Sequence, residues 1–131
     1  MAFADDVRRF SLKTGESTDK VVRAVTLSLF NGIIRDVPVD TGRARGSFET
    51  TVGQPATTTP DRLDQSGKQA MAEIEANVPQ GAGQETYIAS NLPYIVQLEE
   101  GSSKQAPEGF VRRNMDRIQR NLQREARKNR V

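Results

Sequence analysis

VPVDTGRARGSF, residues 37–48, joins two parts of the chain that read very differently. It holds a proline, an aspartate, a threonine, two glycines and two arginines, which suits either a loop that grips phosphate or a turn that leads a helix into a strand. A phosphate loop of the P-loop type needs GxxxxGK and then Ser or Thr after a strand, so that a lysine and a helix N-terminus meet the phosphates. Here the Gly-rich segment follows a helical pattern, and GRARG holds no lysine. The order is reversed, and the junction is the better reading. In it Asp40 and Thr41 bond back to the amides of the turn, Gly42 takes a positive φ, and Arg43 and Arg45 begin the strand.

Upstream, Phe3, Val7 and Phe10 fall at helical spacing in a short amphipathic helix ended by Gly15. Ser17 or Thr18 then caps a second helix running to about Asp36. Its Val21, Val22, Val25, Leu29, Phe30, Ile33 and Ile34 cover more than one stripe, which predicts cover on two sides. Pro38 stops it, because proline disfavours a helical residue before it and lacks an amide hydrogen.

Downstream, Ser47 to Val52 reads as a strand with Phe48 as its inward anchor. Residues 53–67, rich in Thr, Pro, Gly and Gln, predict a long flexible loop. Lys68 to Asn77 predicts a helix with Ala70, Met71 and Ile74 on one side, and Glu85 to Ser90 a second strand. In NLPYIVQLEEG, Pro93 suits a first helical turn and Gly101 a C-terminal cap. Pro107 then opens a basic helix over 107–131, with Val111, Met115, Ile118 and Leu122 as a narrow apolar seam. The order predicts an α+β fold: a small antiparallel sheet packed with a long N-terminal helix and a C-terminal helix, in a single domain spanning 1–131.

Composition narrows the chemistry. The 131 residues include no Cys and no His, which removes disulfides, thiol and imidazole catalysis and the commonest zinc ligands. A metal would have to rest on carboxylates, and the sequence suggests neither a metal site nor a cofactor. No stretch approaches the roughly 20 apolar residues of a membrane helix, and MAFADDVRRF lacks the order of a signal peptide, so a soluble protein made in the cytoplasm is expected. The net charge of +2 is unevenly placed, with eight Arg or Lys against three Asp or Glu from Pro107 onward. The tail is basic and the body mildly acidic.

Among the charged residues, Glu99 and Glu100 are adjacent near a helix end. Successive helical positions point about 100° apart, so the two do not share a site; one in an ion pair and one in solvent is the better reading. Asp5 and Asp6 fail as a pair for the same reason and suit a helix N-terminus. Arg112, Arg113, Arg117, Arg120 and Arg124 could track a phosphate backbone, but only Phe110 interleaves with them, and a solvated or protein-facing helix fits better.

Two segments together resemble the small tail-completion or neck proteins of long-tailed bacteriophages, of the minor tail protein Z type. PVDTGRARGSF at 38–48 is similar to the family's Pro-Val-Asp-Thr-Gly-Arg turn followed by an Arg, a small residue and an aromatic. NLPYIVQLEEGSSKQAPEGFV at 91–111 is similar to its Asn-x-x-Tyr, Leu-Glu-x-Gly and Gln-Ala-Pro-x-Gly run. Phe48 stands where many members carry Trp, Ser102 where an aromatic is frequent, and agreement is poorest over 53–84. The resemblance implies a virion structural protein without catalysis or cofactor, assembled in the host cytoplasm. Such a protein forms a ring, commonly a hexamer, between the connector or head-completion proteins and the tail tube or tail terminator, with DNA passing through its lumen. On that reading Arg43, Arg45, Tyr94, Glu99, Glu100, Ser103, Gln105 and Pro107 are candidate contacts with a neighbouring subunit or partner, with Arg43 and Arg45 exposed and pairing with Glu99 or Glu100 next door. The competing expectation is a small nucleic-acid-binding protein acting through the C-terminal arginines.

Overall fold

The computed structural model describes residues 9, 18–39, 41–81, 83–101 and 108–128. The short helix expected over Phe3 to Phe10 and its end at Gly15 lie outside them, as does Asp40. The architecture is α+β: α1 (Thr18–Asp36), α2 (Arg43–Gly46), β1 (Phe48–Val52), α3 (Lys68–Asn77), β2 (Thr86–Ser90), α4 (Ile95–Glu99) and α5 (Val111–Lys128).

The breadth of the apolar surface on α1 is explained by its neighbours. Phe30, Ile33 and Ile34 enter the main core with Phe48, Ile74 and Phe110, whereas Val21 joins Ile118 and Leu122 of α5 in a second cluster. Leu29 packs against both. Burying Ile34 and Ile74, both fully enclosed, stabilises the fold by about 2 kcal/mol each.

After Pro38 the chain departs from the expected path. Arg43 and Arg45 do not begin the strand; they lie in the single turn α2, closed by Gly46 N–H donating to the Gly42 carbonyl at 2.9 Å. Gly42, at φ 90°, sets the entry angle, and Thr41 Oγ1 accepts from the Arg43 amide at 3.3 Å. The helical turn places the small Ala44 and Gly46 inside, where an extended chain would have carried them past the core. A β-carbon at Gly42 would stand 2.6 Å from the Gln65 nitrogen and 2.8 Å from that of Asp64, both backbone atoms. Gly42→Ala is therefore expected to cost about 2 kcal/mol through left-handed strain and forced displacement of the loop, as read from its chemical denaturation midpoint.

β1 and β2 pair antiparallel with Phe48 opposite Ser90, Thr50 opposite Ile88 and Val52 opposite Thr86. Phe48 and Thr50 are buried, so this face of the sheet meets the core. A two-stranded sheet is marginal by itself. Here it is backed by α3, and the Phe48 and Phe110 rings meet edge to face at 6.0 Å.

The loop over 53–67 is long, as its composition predicts, and it is tied down at several points. Arg62 donates from Nε to the Gly46 carbonyl at 2.8 Å and from Nη2 to that of Phe48 at 2.7 Å. Asn91 Nδ2 donates to the Ala56 carbonyl at 2.8 Å, and buried Asp64 caps α3 by accepting from the Ala70 amide at 2.9 Å. The helix over Lys68–Asn77 and its inward Ala70 and Ile74 match the sequence pattern.

α5 begins at Val111, not at Pro107, which lies outside the described residues. Gly109 has φ 84°, a left-handed conformation that no helix interior accommodates. The seam is shifted as well. Met115 is 38% exposed, and Asn114 takes the inward place between Phe110 and Ile118. Its Nδ2 donates to the Phe110 carbonyl at 2.6 Å and to Asp36 Oδ2 at 2.9 Å, while Oδ1 accepts from Arg117 Nη2 at 3.0 Å. A polar residue can fill a core position when each of its hydrogen-bonding groups is engaged.

Candidate functional site

Arg45 points inward, contrary to the exposed position expected for it. Its Nη1 donates to the Gln65 carbonyl at 2.5 Å, and its Nη2 to the carbonyls of Arg35 at 2.7 Å and Val37 at 3.3 Å. The last carbonyls of α1 lack helical partners, so the guanidinium acts as a C-terminal cap on the chain leaving that helix. Desolvation by burial lowers the Arg45 pKa, while Asp64 and Asp36 work in the opposite direction. Arg45 Nε is buried without a partner.

Arg43 lies on the other side of the turn with its side chain 47% exposed. It stands 4.0 Å from the fully exposed Asp61, a separation and setting in which an ion pair contributes little. Arg43 stays accessible from solvent.

The adjacent glutamates separate as the helical geometry requires. Glu99 Oε1 accepts from the amides of Phe110 at 2.7 Å and Val111 at 2.8 Å; Oε2 accepts from the Arg112 amide at 3.1 Å and from Arg112 Nε at 3.0 Å. Arg112 Nη2 also donates to the Glu99 carbonyl. One carboxylate thus caps the N-terminus of α5 from a different helix, where the macrodipole favours negative charge. Desolvation pushes the carboxyl upward, but the amides of Val111, Arg112 and Phe110 and the Arg112 guanidinium together outweigh it, leaving its pKa below 4.5. Glu99 is thus engaged within its own chain, by Phe110, Val111 and Arg112, where the expectation had it pair with Arg43 or Arg45 of a neighbour. Glu100 is exposed.

Tyr94, at the N-cap of α4, and Val96 within it are 44% and 60% exposed. Ser103, Gln105 and Pro107 lie outside the described residues. The basic helix divides in two. Arg112 is bound to Glu99, Arg113 stands 4.0 Å from Asp36, and Arg117 donates to the Ser28 carbonyl at 3.2 Å, tying α5 to α1. Arg120 and Arg124 are exposed, with Arg124 Nη2 donating to Asn121 Oδ1 at 3.0 Å.

Sequence reasoning missed Arg62, Glu73 and Asn77. Glu73 Oε1 accepts from the Thr50 amide at 2.9 Å, and Oε2 pairs with Arg62 Nη1 at 3.2 Å. Asn77 Nδ2 donates to the Thr50 carbonyl at 2.9 Å. These contacts reach across 23 and 27 positions, so no local pattern marks them.

Among the described residues, no group of three or more acidic side chains is placed to hold a metal ion, and no helix is long and apolar enough to cross a membrane. A cleft of about 220 Å³ beside α1 has Arg23 as the one ionisable residue among its described lining. No family model matches the chain, and comparison with curated proteins and with solved structures finds no match.

Proposed function

We propose that this chain is a structural subunit of the head-tail junction of a long-tailed bacteriophage, forming a homo-oligomeric ring between connector and tail. The reading rests on the resemblance of residues 38–48 and 91–111 to the tail-completion proteins. One observation carries it further: the two segments, far apart in sequence, converge on a single joint. Phe48 of the first meets Phe110 of the second at 6.0 Å, with Ser47 Oγ and Ser90 Oγ at 2.6 Å beside them.

The same geometry sorts the motif residues by role. Arg45 and Glu99 hold the subunit together, while Arg43, Tyr94, Val96 and Glu100 remain on the outside, available to a neighbouring subunit. A ring is built from unlike faces, and an apolar patch on α4 with an outward arginine at α2 supplies two.

Electron microscopy of a lysate from phage carrying an early stop codon in this gene tests the proposal. DNA-filled heads beside unjoined tails are expected, and complementation in trans restores joining. Intact infectious virions would overturn it. The nucleic-acid reading loses ground because Arg112 and Arg117 are engaged within the chain. DNA affinity at physiological salt is accordingly expected to be weak; tight binding that falls steeply with salt would instead favour a role for Arg120 and Arg124 on phosphate.

A further inference from the structure

The two edges of the sheet are treated in opposite ways. Along the outer edge of β1, Arg62 covers the Phe48 carbonyl, Glu73 takes the Thr50 amide, and Asn77 takes the Thr50 carbonyl. A further strand could pair there only by displacing three side chains. Along β2, the amides and carbonyls of Thr86, Ile88 and Ser90 face away from β1, since Gly53 donates to the Glu85 carbonyl and the ladder alternates from there. Among the described residues these outward groups have no hydrogen-bond partner, and the extensive packing of β2 with the described elements is with β1 alone. The strand is TYIAS, free of charge and of proline, so it lacks the devices that ordinarily keep an open edge from pairing.

We infer that β2 is a pairing edge for a second copy of this chain, joined to its own counterpart antiparallel about a two-fold axis through Ile88. The side chains over β1 disfavour a sheet that continues from the β2 edge of one copy to the β1 edge of the next. Pairing of like edges is the arrangement left to two copies, and it closes at a dimer. The register centred on Ile88 uses the whole strand: Ile88 faces Ile88 of the second copy and Thr86 faces Ser90, giving about six hydrogen bonds. On the solvent face Tyr87 stands opposite Ala89, and beyond the strand Glu85 meets Asn91, so no like charges oppose each other. Ile88 already packs against the core, and pairing makes the two cores continuous at that point. The inference does not depend on the ring reading, since it rests on backbone groups alone.

Five paired residues bury less than the roughly 1,600 Å² of a standard interface, so the dimer is weak and appears with concentration. Sedimentation equilibrium from micromolar to millimolar chain should show the mass rising from 14.5 kDa toward twice that value. Tyr87→Lys with Ala89→Lys sets lysine opposite lysine on the exposed face and should hold the protein monomeric. Tyr87→Glu with Ala89→Lys sets opposite charges across the axis and should restore the dimer. Hydrogen exchange of wild-type protein supplies a second reading, with the Thr86, Ile88 and Ser90 amides at least tenfold better protected at the high concentration. Several outcomes overturn the inference: a monomer throughout, a Lys/Lys variant that associates as well as the wild type, or an oligomer that leaves these amides unprotected. Protection that arises only when another protein is added would assign the edge to a foreign strand and likewise overturn it.

Discussion

Replacing Glu99 by Ala should lower the unfolding free energy by about 3 kcal/mol in urea denaturation, a large fraction of the roughly 5–15 kcal/mol that holds a domain together. Its carboxylate serves three consecutive amides at the start of α5 and the Arg112 guanidinium. Removing it orphans those amides near a left-handed glycine that prevents the chain from winding one turn further back. A single N-cap contributes about 1 kcal/mol, and bonds to a charged acceptor about twice that of neutral ones. Glu99→Gln keeps one acceptor oxygen and should lose about half as much. A loss below about 0.5 kcal/mol for the alanine variant would mean that water replaces the carboxylate without cost.

The same residue gives a pH dependence whose sign follows from its lowered pKa. The folded state binds this proton less tightly than the unfolded chain, so the stabilisation is complete above the ordinary value of 4.5 and is lost as pH falls through the lower folded value. Wild-type stability should therefore decline below that value more steeply than that of Glu99→Gln.

Arg45→Ala should destabilise the protein by about 2–3 kcal/mol, while Arg43→Ala, two residues away, should stay within about 0.5 kcal/mol of the wild type. Arg45 serves carbonyls at Arg35, Val37 and Gln65, two of them at the end of α1 and the third in the loop that crosses it. Arg45→Lys should recover little, because an ammonium lacks the planar fork that reaches several carbonyls at once. Equal effects at the two positions, measured by thermal and chemical denaturation, would sink the assignment of separate roles. The contrast also governs assembly experiments. A defect in Arg43→Ala bears on contacts between subunits, whereas one in Arg45→Ala reflects a weakened subunit.

Much of the fold was legible because its signals are local and repeated. The apolar breadth of α1, the inward Ala70 and Ile74 of α3, and both strands come from periodicity and breakers within about ten residues of each other. The split of Glu99 from Glu100 followed from helical geometry alone. What escaped depends on distant partners. Composition makes Arg45 an exposed residue like Arg43, and only the arrival of three carbonyls from separate segments turns it inward. An apolar seam naturally takes Met115, yet Asp36 and Arg117 make a place where Asn114 is better satisfied. A four-residue helix such as α2 is too short to express a period, so Arg43–Gly46 read as the start of the strand. The candidate contacts were chosen by resemblance, which marks positions without distinguishing a residue that holds the subunit from one that faces outward.

The carboxylate clasp at Glu99 joins the end of α4 to the start of α5. Gly101 N–H is bound to the Leu98 carbonyl at 3.2 Å on one side, and Phe110 is bound to Glu99 on the other at 2.7 Å. The clasp thus acts as a rivet between the end of α4 and the start of α5, so that one side chain holds two helices in register with each other.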